Sequence, residues 1–197
     1  MMSDLARMLI DAGLLQFGSF VVNGDEVPFQ GSLAMLASYP DVLRAVTDAA
    51  APLIPPADHL LATNEAVPLG VALSLHTGIP LVYSRGTDAA PVVDLVGAYD
   101  IGHPAVLVTT LLSSAAPVTR LLEGARRVGL EVHTVVPIID AGAVQLPDRE
   151  IVPVLRLAEI VADLVENGML PEGQGWFVLA WIGGRLSNRL RQGSAAP

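Results

Sequence analysis

Apolar residues along this chain switch between helical spacing and short unbroken runs, and the switching sets the predicted elements. Ser3 to Gly13 opens on cap-type residues, puts Leu5, Met8, Leu9 and Ala12 on one face and stops at a glycine, which predicts a short amphipathic helix. Gln16 to Phe29 reads as a strand, an Asn23-Gly24 turn and a second short strand, a hairpin signal. An alanine-rich helix follows Ser38-Tyr39-Pro40-Asp41, runs to about Leu53 and is broken by Pro55-Pro56. Buried-looking strands are then expected at His59 to Thr63, Leu81 to Arg85, Pro104 to Val108 and Val132 to Asp140. Helical patterns alternate with them, notably Thr119 to Arg127 with Leu121, Leu122 and Ala125 inward and Gly129 after the end. Leu155 to Glu166 and a last segment holding Trp176 and Trp181 complete the helices. Alternating strands and helices, with strands apolar on both faces, predict an α/β fold with a mostly parallel central sheet flanked by helices.

In such a sheet a ligand is expected outside the carboxyl ends of the strands, where a helix N-terminus offers free N–H groups. The stretch Pro104 to Pro117 makes that kind of junction: an apolar strand, the polar turn Thr109 to Ser114, then a helix opened by Ala115-Ala116-Pro117. The turn carries no acid, no base and no glycine.

Composition narrows the functional classes. A hydrophobic content of 52% with 16% charged residues excludes disorder, and 197 residues suit one domain with a real core. The net charge of -9 argues against nucleic acid as a partner, since phosphates would be repelled. All 11 basic residues are arginines; the chain has no lysine. Without cysteine there is no disulfide, thiolate metal site or cysteine nucleophile. The early acid Asp4 argues against a signal peptide, and the uncharged stretches 66–84 and 101–119 are interrupted by Pro, Gly and His, against a membrane span. A cytoplasmic protein is expected.

Phe17-Gly18-x-Phe20, Val27-Pro28-Phe29 and Ser38-Tyr39-Pro40, in that order and spacing, resemble the opening of the orotate phosphoribosyltransferases. Pro68-Leu69-Gly70-Val71-Ala72 resembles their Ile-Pro-Leu-Ala helix, Val92 to Val96 with Gly97 resembles their short strand before Val-Glu-Gly, and the similarity continues to the C-terminal helices. The resemblance implies a type I phosphoribosyltransferase domain over 1–192, with 1–37 as a hood of helix and hairpin and 193–197 as a disordered tail. It implies a homodimer and a reaction joining orotate to 5-phosphoribosyl 1-diphosphate (PRPP) with Mg²⁺. It also implies site positions: Thr109, Thr110, Ser113 and Ser114 as the PRPP loop, Thr63, Asn64 and Glu65 as the pyrophosphate loop, and Arg85 on the catalytic loop.

The chemistry expected at those positions is altered. Thr109-Thr110 stands where the family has two acids that bind ribose hydroxyls, and Ala115-Ala116 replaces the Gly-Ser end of the loop. Val22-Asn23 takes the place of Lys-Ser, and after Arg85 the segment to Pro91 offers no cation, only Asp88. Glu65 adds a carboxylate where phosphate would sit, a repulsion of about 1 kcal/mol in water and more near a protein surface. These departures predict a family member with impaired or lost catalysis, no catalytic residue to name, and no cofactor unless transfer survives with Mg²⁺. Two rivals remain: an active transferase making orotidine 5′-monophosphate or a related nucleotide through Arg85, Thr109, Thr110, Ser113 and Ser114, and a non-catalytic module binding a nucleotide, a base or a partner.

Other residues read as structural. His59, His76, His103 and His133 show no metal spacing, Asp88, Asp94 and Asp100 read as solvated carboxylates, and Trp176, Phe177, Trp181 and Ile182 read as core or dimer packing. Ser113 and Ser114 read either as helix caps or as a residual phosphate-binding turn.

Overall fold

A computed structural model describes residues 4–22, 25–87 and 89–193 of the chain. The N-terminal part is α1 (Asp4–Asp11) followed by the antiparallel pair β1 (Leu15–Val22) and β2 (Asp25–Gly31). A 3-10 turn over Leu33–Ser38 leads to α2 (Pro40–Ala50), whose first turn is opened by proline, where the missing N–H costs nothing. The remaining elements are β3 (His59–Ala62), α3 (Val67–Thr77), β4 (Leu81–Ser84), α4 (Pro91–Asp94), β5 (Leu95–Val96), β6 (Pro104–Leu112), α5 (Ala115–Arg127) and β7 (Glu131–Asp140). They end with β8 (Glu150–Ile151), β9 (Leu155–Arg156), α6 (Leu157–Glu166) and α7 (Glu172–Gly193). Gly193 closes α7, and residues 194–197, expected as a tail, lie outside the described residues.

The main sheet runs β5-β4-β3-β6-β7-β8, with β9 also on β7, and every pairing is parallel except the short β4–β5 one. From β3 the chain moves outward to β4 and β5, then returns to lay β6 on the other side of β3. The direction of winding therefore reverses between β3 and β6, and that is where α/β sheets open a crevice.

Side-chain alternation along the central strands divides the core in two. Leu60, Ala62, Val106, Val108, Val136 and Ile138 face one layer, with α2, α3, α6 and α7. Leu61, Ala105, Leu107, Val132 and Val135 face the other, packed on Val118, Leu121, Leu122 and Ala125 of α5. The expected inward face of α5 is thus the observed one. On the first layer Phe29 of β2 meets Trp181 of α7 edge to face, ring centroids 5.2 Å apart, which joins the hairpin to the C-terminal helix.

Expected elements differ in two places. β6 runs on to Leu112 and pairs with β7 as far as Leu112–Asp140, so Thr109 and Thr110, expected in a polar turn, belong to the strand. Val92 to Val96 is not a strand: Pro91–Asp94 is a helical turn and only Leu95–Val96 pairs with β4. Val93 and Asp94 donate their N–H groups to the Ala90 carbonyl, and Asp94 is buried where a solvated carboxylate was expected. Its Oδ2 accepts a hydrogen bond from the Ser84 hydroxyl, and its Oδ1 accepts from the Thr87 N–H at 2.8 Å and the Thr87 hydroxyl at 2.7 Å. Arg85 N–H donates to the Asp94 carbonyl at 3.0 Å. The exit of β4 is therefore folded back onto one carboxylate. Burial raises the Asp94 pKa, but the Ser84 and Thr87 hydrogen bonds, with Arg85 nearby, outweigh it and hold the carboxyl below the ordinary aspartate value.

Two stability predictions follow from this corner. Gly97 has φ +138°, and a Cβ there would stand 2.7 Å from the Leu81 carbonyl oxygen and 3.0 Å from the Val82 Cα. Gly97→Ala is expected to destabilise by about 1–3 kcal/mol in urea unfolding, because the obstacle is backbone; an unchanged midpoint would refute the packing account. A carboxylate whose pKa is depressed by folding stabilises above its unfolded pKa, about 3.9, and that stabilisation is lost as pH falls through the folded value. Asp94→Asn should therefore cost about 1–3 kcal/mol at neutral pH, with the gap to the native protein closing below about pH 4. A gap that widens on acidification would show the opposite shift.

Candidate functional site

Above the carboxyl ends of β3 and β6 lies a cleft of about 940 Å³. Its floor is the exits of these two strands, its far wall α5, and its cover the segment Gly31–Ala34 after the hairpin. Thr63, Asn64, Glu65, Thr109, Thr110, Ser113 and Ser114 all border it, so the parallel β3–β6 pair brings together two loops that lie far apart in sequence. A second concavity, of about 560 Å³, sits at the amino ends of β3 and β6 among Pro55, Pro56 and Pro104, with Asp58 as its only charged lining residue.

The floor is held by hydroxyls. Thr63 Oγ1 and Thr109 Oγ1 are 3.2 Å apart, and the Thr63 N–H donates to the Val108 carbonyl at 3.2 Å. Thr109 and Thr110 are buried, and the Thr110 hydroxyl donates to Glu65 Oε2 over 3.4 Å. Glu65 therefore turns into the cleft, beside the β6 exit. Ser114 occupies the N-cap position of α5 with extended backbone, yet its side chain makes no capping hydrogen bond. The capping alternative thus fails for Ser114, whose residue borders the cleft together with Ser113.

Arg85 is exposed and does not border the cleft, although its neighbours Ser84, Gly86 and Thr87 do. Gly86 (φ +73°) lies against Asn64, whose Nδ2 would be 2.7 Å from an added Cβ, so the β4 exit rests on the β3 exit. Arg120 and Arg127 of α5 border the cleft instead. Their spacing of seven residues marks a shared helix face, the one signal sequence could offer; that this face borders the cleft is a tertiary fact. Among the described residues the cleft's charged lining is Glu65, Asp94 and Glu123 against Arg120 and Arg127, three carboxylates to two guanidinium groups. Asn23 and Asp88 lie outside the described residues.

A divalent cation wants several hard oxygen ligands, usually including carboxylates. Here the oxygens at this end of β6 are two neutral threonine hydroxyls, Thr109 facing the Thr63 hydroxyl and Thr110 donating to Glu65, so the floor presents one carboxylate where the resemblance implied an acid pair. No group of three or more His, Cys, Asp or Glu among the described residues stands close enough to hold a metal ion. Away from the cleft, His103 Nδ1 pairs with Asp58 Oδ2 at 2.7 Å, and His76 lies 3.5 Å from Asp48. His59 is buried and packs edge to face on His103. Trp181 and Ile182 pack on the core, whereas Trp176 is 70% exposed and Phe177 is also on the surface. No described helix is long and apolar enough to cross a membrane.

No protein-family model matches the chain. A curated relative, the orotate phosphoribosyltransferase of Methanopyrus kandleri, is 32% identical over 145 residues, covering 69% of this chain and 76% of the relative. Among solved structures, the UMP synthase of Leishmania donovani is similar over 92% of this chain with TM-score 0.79 and 24% identity; the chain spans 42% of that protein's length. The orotate phosphoribosyltransferase of Francisella tularensis is similar with TM-score 0.68 and 18% identity, over 89% of this chain and 95% of that one. These structures carry the fold, a mostly parallel sheet of the type I phosphoribosyltransferase kind with its cleft at the β3–β6 reversal. The identity shared with the Methanopyrus protein over that length shows that the chain belongs to the orotate phosphoribosyltransferase family.

Proposed function

We propose that this family member keeps the family's cleft as a binding site for a neutral or weakly charged nucleoside and is impaired in phosphoribosyl transfer. The observation that carries the reading is the Glu65 carboxylate turned onto the Thr110 hydroxyl at the floor of the cleft. A diphosphate at that spot would face a negative charge with no lysine anywhere in the chain to offset it. Transfer requires positioned cations to stabilise charge on departing pyrophosphate, an effect worth several kcal/mol. The cleft's guanidinium groups lie on α5, and Arg85 does not border the cleft.

A rival reading, surviving transfer on an altered substrate, draws on Arg120 and Arg127 as phosphate partners. Purified protein with Mg²⁺, orotate and PRPP separates the two. No orotidine 5′-monophosphate above background is expected, and millimolar PRPP should leave the melting midpoint unchanged with or without Mg²⁺. Uridine at a hundredfold excess over its dissociation constant adds about 2.7 kcal/mol to the folded state and should raise the midpoint by several degrees. Turnover lost in Arg120→Ala, or a Mg²⁺-dependent shift with PRPP, would establish the rival.

The reading includes a homodimer. Trp176, Phe177 and Leu179 leave large apolar side chains on the surface of α7, the kind of patch that marks an interaction surface. Light scattering at micromolar concentration should give about twice the chain mass of 20.6 kDa; a monomer throughout would remove the dimer.

A further inference from the structure

Two faces of α7 use glycine for different reasons. On the inner face Gly175 is buried, and a Cβ there would stand 2.4 Å from Val165 Cγ2, so the core demands the small residue. On the outer face Gly183 and Gly184 are exposed, and among the described residues a Cβ at either would meet nothing within 4 Å. Glycine inside a helix is disfavoured by its backbone entropy, and the packing of this chain does not require it at these two positions. The same outer face holds Ala180 and the exposed rings of Trp176 and Phe177. Large apolar and small residues thus share one stripe that the chain itself leaves uncovered.

The stripe is arranged about its middle. Phe177 and Trp176 stand three and four residues before Ala180, and Gly183 and Gly184 stand three and four after it. Two copies of α7 laid antiparallel with Ala180 on the two-fold axis therefore set each aromatic ring at the level of a glycine of the other copy. A two-fold contact between identical surfaces needs this self-complementarity, and small residues at a crossing let two helices approach closely. Charge selects the same orientation. Glu172 opens α7, and the chain after it holds Arg185, Arg189 and Arg191 and no acid. Antiparallel packing lays the acidic end of each helix along the basic end of the other with opposed macrodipoles, whereas parallel packing would lay arginine along arginine.

We propose that α7 is the surface on which a second copy of this chain docks, helix antiparallel to helix, with Ala180 at the two-fold axis and Trp176 and Phe177 seated over Gly183 and Gly184 of the other copy. The proposal rests on the homodimer reading and adds to it the face, the orientation and the register. It also accounts for the two glycines, since side chains there would fill the space the rings occupy. α7 packs on the opposite layer of the sheet from α5, so a contact through α7 leaves the α5 wall of the cleft free.

The test is cysteine cross-linking of the full chain, which has no cysteine of its own. Under air oxidation Ala180→Cys should form a disulfide-linked dimer, because residues on the axis fall within the Cα separation of about 4.4–6.8 Å that a disulfide spans. Gly184→Cys should not link to itself, since four residues from the axis place it about 12 Å from its copy along the helix. Leu75→Cys, on the exposed surface of α3, measures linking by random collision. Gly184→Leu should be monomeric in light scattering at micromolar concentration, its dimer affinity lowered about a hundredfold because the clash occurs twice, with its circular dichroism kept. Trp176→Ser, expected to weaken the dimer likewise, serves as the second variant if the leucine form does not fold. A dimeric native protein in which Ala180→Cys links no faster than Leu75→Cys, or in which these variants stay dimeric, would overturn the α7 contact and leave the homodimer reading standing. Self-linking of Gly184→Cys would overturn the antiparallel register. A native protein that is monomeric throughout would overturn the homodimer reading itself, and this proposal with it.

Discussion

The parallel pairing of β3 with β6, from His59–Ala105 to Ala62–Val108, is the constraint on which the rest of the molecule depends. It joins strands separated by more than forty residues, with the outward excursion through α3, β4 and β5 between them. Once it has docked, the sheet has a direction reversal at its centre, and the two strand exits open side by side. β6 and β7 are then buried along nearly their whole length between the two helical layers. The site is a by-product of that burial: polar residues appear where the strands leave the core, at Thr63 and at Thr109-Thr110, and they face each other because the register puts them there.

The way polar groups satisfy one another at those exits distinguishes this cleft. Buried hydroxyls need partners, and Thr63 with Thr109, and Thr110 with Glu65, supply them without a buried charge. At the next strand exit the solution is the reverse, a buried Asp94 carboxylate saturated by Ser84 and Thr87. Through Gly86 that corner rests on Asn64, so the β3 and β4 exits are mechanically connected. The charges at the cleft are thus negative at the floor, from Glu65, and mixed on the α5 wall, where Glu123 stands with Arg120 and Arg127.

Several of these features were readable in the residues. The resemblance in Phe17-Gly18-x-Phe20, Ser38-Tyr39-Pro40 and the β3 to α3 passage pointed to the family, and Thr63, Asn64, Glu65, Thr109, Thr110, Ser113 and Ser114 do converge on one cleft. Arg85 was placed on the right strand exit but not at the cleft, because backbone direction at Ser84 to Thr87 is set by Asp94, ten residues beyond Ser84 and read as solvated. Arg120 and Arg127 carried no local mark beyond a shared helix face. The strand expected at Val92 to Val96 shortened because Pro91 favours a first helical turn and Asp94 is drawn inward.

The sequence by itself determined the α/β class, the alternation of the longer strands and helices, the inward face of α5 and the absence of lysine from every loop, since these follow from apolar periodicity and residue identity alone. Tertiary structure alone decided that Glu65 turns inward onto Thr110, that Asp94 is buried and paired, and that the cleft's guanidinium groups belong to α5. The physical reason is the same in each case. A side chain's partners across a parallel sheet are set by the register of strands that meet only after long crossovers, and no local pattern encodes which donor will stand opposite a given carboxylate.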